Sequence, residues 1–259
     1  MATIRYGARA AEQQRNREIE ATTSKIWSTA VTVWWETDLD VIRAVLPPPL
    51  EPHEPIARIR FATVNMGTGI PVFGAGWFGV SARHGNVEGE YPIFMPMTTE
   101  QATIGGRETF GEPKKIGAVA IDTQGDQLHA CFERMGFPLA EVRGTLDESI
   151  DIAPRDKVDF YFKISPSPDG KGFDTEPALV HCRRHEEARE GRAIDGTLQL
   201  FESPIDPIID IPIRRVIAMQ FAQVTTTQEA EVVERVPGDW LLPYVHQRYD
   251  DLSVLGKKD

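Results

Sequence analysis

Hydrophobic and polar residues alternate in short runs along most of this chain, and turn signals interrupt the runs every few residues. Ala57, Ile59 and Phe61 alternate with Arg58 and Arg60, the period-two pattern of a strand with both arginines on one face. Residues 78–82 and 91–95 flank a turn at His84-Gly85-Asn86, and residues 116–121 and 128–132 flank Gln124-Gly125-Asp126. Each pair reads as a hairpin. Residues 158–164 and 178–181 bracket a Ser-Pro-Ser-Pro-Asp-Gly loop, and residues 26–35, 197–201 and 216–224 are further strands. Short strands with frequent turns predict an α+β chain built on an antiparallel β-barrel or sheet core with a few flanking helices.

One helix is predicted early. Thr37-Asp38-Leu39-Asp40 resembles an N-cap with an acidic first turn. Leu39, Ile42, Val45 and Leu46 then share a helical face, and Pro47-Pro48-Pro49 ends it. Residues 1–25 read as a polar N-terminal arm with a short helix over 8–19. With no repeat or linker to divide the remainder, residues 26–259 are expected to form a single domain.

The chain has 259 residues, 41% of them hydrophobic, enough for a substantial core. A formal charge of -11 gives no general attraction for nucleic acid or anionic membranes. An anionic substrate would therefore have to be drawn in by a few placed cations. Cys131 and Cys182 cannot make a disulfide scaffold, and no stretch reads as a signal peptide or membrane span, so a cytoplasmic protein is expected. His181-Cys182-Arg183-Arg184-His185 leaves a strand and carries no glutamate between its histidines, so a metal is not expected there. Gly67-Thr68-Gly69 and Gly74-Ala75-Gly76 read as turns. No cofactor is implied.

The chemistry concentrates in Gly106-Arg107-Glu108-Thr109-Phe110-Gly111-Glu112-Pro113-Lys114-Lys115. Lysine is seldom fully buried without support. A free lysine titrates near about 10.4, so an amine that attacks a ketone at neutral pH needs burial or a nearby cation to lose its proton. Neighbours in an extended segment face opposite ways. Burial is therefore the expected cause for Lys114, with Lys115 paired to a carboxylate elsewhere. Glu108 precedes Lys114 by six residues, an even spacing that would put both on one face of a regular strand. Tyr244, the one phenol in Trp240-Leu241-Leu242-Pro243-Tyr244, is a candidate acid, and Arg60 suits a substrate carboxylate.

Gly106-Arg107-Glu108 followed by Pro113-Lys114-Lys115 resembles the signature of the acetoacetate decarboxylase superfamily. Leu46-Pro47-Pro48-Pro49-Leu50, Glu54-Pro55, Gly89-Glu90-Tyr91 and Thr197-Leu198-Gln199-Leu200-Phe201 with Pro204 extend the resemblance in order from about Thr29 onward. It implies a mixed fold around an antiparallel barrel and a homo-oligomer of four or more chains. It also implies Lys114 as the Schiff-base lysine with Lys115 its companion, and Lys115, Arg60 and Arg107 are the candidates for binding substrate or tuning the amine. A lysine activated by a neighbouring cation in acetoacetate decarboxylase is a general example of such chemistry. The family's arginine before the first helix and its two glutamates before the lysine motif are here Ser28, Arg60 and Ala75. Those replacements argue against simple acetoacetate decarboxylation. They favour an aldolase-dehydratase that joins pyruvate-like 2-oxo acids to aldehydes, with Glu108 as proton shuttle and Tyr244 at the developing alkoxide. A 3-oxo acid decarboxylase and a non-catalytic carboxylate-binding barrel are the alternatives.

Overall fold

In the computed structural model, residues 4–10, 26–66 and 71–255 are described. The expected arm helix over 8–19 falls largely, and the turn at residues 67–69 wholly, outside them. Among the described residues eleven strands carry the fold: β1 (Ser28–Glu36), β2 (Glu51–Val64), β3 (Phe73–His84), β4 (Val87–Met97), β5 (Lys114–Ile116), β6 (Ala118–Gln124), β7 (Gln127–Arg134), β8 (Phe137–Ser149), β9 (Arg155–Lys163), β10 (Ala178–Leu200) and β11 (Arg215–Arg235). The helices are α1 (Leu39–Val45), α2 (Glu100–Phe110) and the short α3 (Gly238–Leu241) and α4 (His246–Tyr249). None of the described helices is long and apolar enough to cross a membrane.

Strand order β11-β1-β2-β3-β4-β9-β10, closed by β10 pairing with β11, makes a barrel, and β8-β7-β6 extend from β10 as a flanking layer. β10 serves both. Its residues up to Glu186 pair with β9, and those from Arg192 pair with β8. The register shifts between Arg189 and Arg192, where Glu190 takes a positive φ of 55°. Two strands were expected where this one long strand runs, because its charged middle does not alternate cleanly.

The alternation sorts each barrel strand into two faces. Val31, Val33, Trp35, Ile59, Phe61 and Phe78 point outward into the main core. There they meet Val119, Phe132, Leu139 and Val142 of the flanking layer, Ile42 of α1 and Leu46 just after it. Phe61 and Phe132 lie 4.2 Å apart between ring centroids. In α1, Leu39 stays 41% exposed, so the predicted apolar face is narrower than its sequence pattern. Asp38 makes no side-chain cap. Its carboxylate is drawn away by Arg214, 2.7 Å from it.

The inward face is polar. Thr32, Arg58 and Arg60 stand there beside Trp77, Glu90, Asp159, Arg184 and Glu186. α2 covers one end, packing Ala102 and Phe110 against Trp77, Met95, Tyr161 and Cys182. Gly74-Ala75-Gly76, expected as a turn, lies inside β3. The glycines let β3 pass close to its neighbours: a Cβ at Gly76 would come within 2.5 Å of Phe132 and Pro96.

Candidate active site

The lysine motif is built from three local pieces. Residues 100–110 form α2 rather than the regular strand that an even Glu108–Lys114 spacing assumes, so Glu108 sits exposed on the helix. Gly111 ends the helix at φ 84°, donating its N–H to Arg107 O at 3.1 Å. A side chain there would meet the Lys163 backbone, so glycine is required on two counts. Pro113 then sits in a tight turn, with Lys114 N donating to Glu112 O at 2.8 Å. The turn brings the side chains two residues apart together.

The carboxylate that meets Lys114 is therefore Glu112. Its Oε2 lies 2.7 Å from Lys114 Nζ, and the two residues are 2% and 8% exposed. Gly106 of α2 presses on both. A Cβ there would fall 2.0 Å from Glu112 Oε2 and 2.5 Å from Lys114 Nζ.

Lys115 leaves β5 on the other side, 2.8 Å from Asp206 and 2.6 Å from Asp250. Arg134 completes that cluster at 2.7 and 2.5 Å from the same two acids. Arg107 donates to Lys114 O at 2.9 Å. Arg248 of α4 donates to Gly111 O at 2.7 Å and Glu112 O at 3.1 Å. Two arginines thus hold the carbonyls of the motif, and the C-terminal helix is part of its frame. Tyr244 is half-buried and lines a water-sized cavity of about 30 Å³ with Tyr91, Gly111, Pro113 and Tyr161. It stands on the flank of the turn.

From Glu112 a chain of ion pairs crosses the barrel. Arg184 lies 2.9 Å from Glu112 and 2.8 Å from Asp159, and donates to Tyr161 Oη at 2.7 Å. Lys157 lies 2.9 Å from both Asp159 and Glu90. Arg58 meets Glu90 at 2.6 Å and stacks on the Trp77 ring at 3.8 Å. Arg60, expected to take a substrate carboxylate, is gripped by Glu186 at 2.8 and 3.0 Å and by Thr32 at 3.1 Å. Beyond that pair the barrel opens into a cavity of about 300 Å³ lined by Thr32, Trp34, Arg60, Arg155, Glu186 and Gln220 among mainly small apolar residues.

Among the described residues the connected chain joins Lys114, Arg58, Arg60, Arg155, Lys157 and Arg184 to only Glu90, Glu112, Asp159 and Glu186. The interior is thus net basic within an acidic protein, the placed-cation arrangement that an anionic ligand requires. Burial alone would raise the carboxyls of Glu112 and Glu90, but the adjoining cations prevail. Lys114 and Arg184 hold Glu112 below its ordinary value, and Arg58 and Lys157 hold Glu90 down to about 2. Burial pushes the Lys157 amine down, with Arg58 adding to it. The Tyr161 phenol is raised well above its usual value, first by burial. No cluster of three or more metal-ligating side chains occurs among the described residues. His181 faces His84 at 3.0 Å rather than His185.

Sequence reasoning missed Glu112, Arg184, Asp159 and Lys157. The strand alternation Cys182, Arg184, Glu186 could have placed Arg184 inward; Glu112 needed the turn at Pro113.

The sequence model for acetoacetate decarboxylase matches residues 10–236. The acetoacetate decarboxylase of Chromobacterium violaceum is 28% identical over 194 residues, covering 72% of this chain and 77% of that protein. A crystal structure of acetoacetate decarboxylase from Legionella pneumophila superposes with a TM-score of 0.72 at 19% identity, over 87% of this chain and 98% of that one. The enduracididine biosynthesis enzyme MppR, complexed with the condensation product of pyruvate and imidazole 4-carboxaldehyde, superposes at 0.67 with 20% identity, over 81% of this chain and 90% of that one. With its barrel, its lysine motif and a family match across most of its length, the chain belongs to the acetoacetate decarboxylase family.

Proposed function

We propose that this protein is a Schiff-base lyase that condenses pyruvate-like 2-oxo acids with aldehydes and dehydrates the product, or runs the reverse reaction. The observation that carries the reading is the buried Lys114 amine with a carboxylate 2.7 Å away. Such a pair can pass a proton from the ammonium to Glu112 and leave a neutral nucleophile. The amine nitrogen bonds to the keto carbon of pyruvate, and the keto oxygen departs as water. Loss of a methyl proton gives the enamine, whose carbon attacks an aldehyde. Protonation of the alkoxide, loss of a second water and hydrolysis of the imine release a 2-oxo-3-enoate.

Glu112 fits the proton-shuttle role better than the exposed Glu108. Tyr244 would reach the alkoxide only if the substrate extends past Pro113 toward its small cavity. The net basic interior supports an anionic substrate, and the MppR complex named above supports pyruvate chemistry on this fold. Decarboxylation of a 3-oxo acid is the second reading, favoured by the similarity to acetoacetate decarboxylases.

Cyanoborohydride trapping with pyruvate and, separately, acetoacetate, followed by peptide mass spectrometry, tests both. A pyruvate adduct on Lys114 with 2-oxo-3-enoate formed on adding aldehyde is expected. Carbon dioxide released from acetoacetate would favour the decarboxylase instead. An adduct on Lys157, whose side chain is only 6% exposed, would move the chemistry along the ion-pair chain. No adduct from either acid would remove the imine mechanism.

A further inference from the structure

We propose that Arg184 takes the substrate's carboxylate and that Glu112 is its resting occupant. The proposal rests on the imine reading of Lys114 and adds where the acid group of the substrate sits. One carboxylate now spans the amine and the guanidinium: Glu112 Oε2 lies 2.7 Å from Lys114 Nζ, and Glu112 Oε1 lies 2.9 Å from Arg184 Nη2. The two cations are therefore no farther apart than the two oxygens of a single carboxylate can bridge. In the imine of a 2-oxo acid the carboxylate is bonded directly to the imine carbon. In a 3-oxo acid a methylene intervenes and pushes the carboxylate away from the nitrogen. The spacing suits the 2-oxo acid.

Arg184 is built to keep its place when Glu112 leaves. Asp159, fully buried, lies 2.8 Å from its Nε, and the Tyr161 hydroxyl accepts from Nη2 at 2.7 Å. Arg60 has no such freedom, since Glu186 and Thr32 engage all three of its nitrogens. Glu112 is the looser member. A single hydrogen bond, from Arg184 Nη2 to its Oε1 at 2.9 Å, ties it to the guanidinium, and giving that up leaves Oε2 beside Lys114.

The exchange has a chemical consequence. Glu112 stays ionised because Lys114 and Arg184 outweigh the effect of burial. When a substrate carboxylate takes over Arg184, Glu112 keeps its burial and loses one of its two cations. It becomes a stronger base. The ammonium proton then passes from Lys114 Nζ to Glu112 Oε2, and the nitrogen lone pair is free at the moment the keto carbon arrives. Substrate binding itself would arm the lysine.

The test uses oxamate, which has the shape of pyruvate but an amide carbonyl that forms no imine. Calorimetric titration of the full chain is expected to show binding that weakens at least tenfold in Arg184→Gln and lies between the two in Arg184→Lys. Glu112→Gln, which removes the resident competitor, is expected to bind oxamate several-fold more tightly. A merely structural arginine would not produce that gain. Circular dichroism checks each variant, and the Glu112→Gln result decides the matter if Arg184→Gln does not fold. No binding by the parent protein, or equal affinity in the variants, overturns the proposal. Because oxamate cannot be trapped, this outcome is independent of whether Lys114 forms an imine.

Discussion

Lys114 and Lys115 are adjacent in β5 yet answer to separate carboxylates, Glu112 for the first and the Asp206–Asp250 pair for the second. The strand's pleat sends them to opposite sides. It separates a lysine beside the barrel interior from one that ties β5 to the C-terminal segment. Truncating Lys115 leaves Asp206, with a side chain only 3% exposed, short of one cation. Lys115→Ala is expected to lose about 3 kcal/mol in urea unfolding, the scale for breaking a buried ion pair. A loss near zero would show that Arg134 alone satisfies both acids.

Gly106 tests the fit of α2 over the lysine. In an open helix, Gly→Ala stabilises by up to about 1 kcal/mol. Here the added methyl would meet Glu112 Oε2 at 2.0 Å and Lys114 Nζ at 2.5 Å. Gly106→Ala is expected to destabilise by roughly 1–3 kcal/mol and to slow pyruvate trapping at least tenfold. A more stable variant with undiminished trapping would mean that the helix shifts without cost.

Glu90 gives the barrel an acid-labile joint. Its folded carboxyl titrates near 2, against an ordinary 4.5, because Arg58 and Lys157 overcome the effect of burial. A depressed folded value means stability that is complete above the unfolded value and is lost as pH falls toward the folded one. The window is pH 4.5 down to about 2, and the contribution is about 3 kcal/mol. Glu90→Gln is expected to be less stable at pH 7 and to lose less stability across that window. Chemical denaturation at stepped pH reads both slopes, and parallel slopes would remove Glu90 from the account.

Arg60 and Glu186 form a buried pair, with side chains 17% and 9% exposed. Either single change, Arg60→Leu or Glu186→Leu, is expected to cost about 3–5 kcal/mol, and the double change much less. The same Arg60 variant should alter oxamate affinity less than Arg184→Gln does. A larger effect at Arg60 would return the substrate's carboxylate to the site first expected from sequence.

The barrel was legible because Ala57, Ile59 and Phe61 against Arg58 and Arg60 repeat a strand's period, and the same rule separated Lys114 from Lys115. α2 was not, since Gly105 and Gly106 weaken its helical signal. Reading that stretch as extended drew attention to Glu108 instead of Glu112. Arg184 was hidden in a His-Cys-Arg-Arg-His run that asks to be judged as a metal motif. Its meaning depends on β9, which brings Asp159 and Tyr161 to it from far along the sequence. No local pattern reports such a pairing.

The two faces of the barrel strands have a consequence for how this fold diversifies. Cohesion comes from the outward residues packed against the flanking layer, while the alternate, inward ones line the polar interior and its cavity. A single strand such as β2 thus carries scaffold and cavity lining in interleaved positions. Substitution can rewrite the inward set without disturbing the packing that keeps the molecule folded. Charge-reversing pairs across the interior, altered together, are the natural route by which one such barrel would come to accept a different acid.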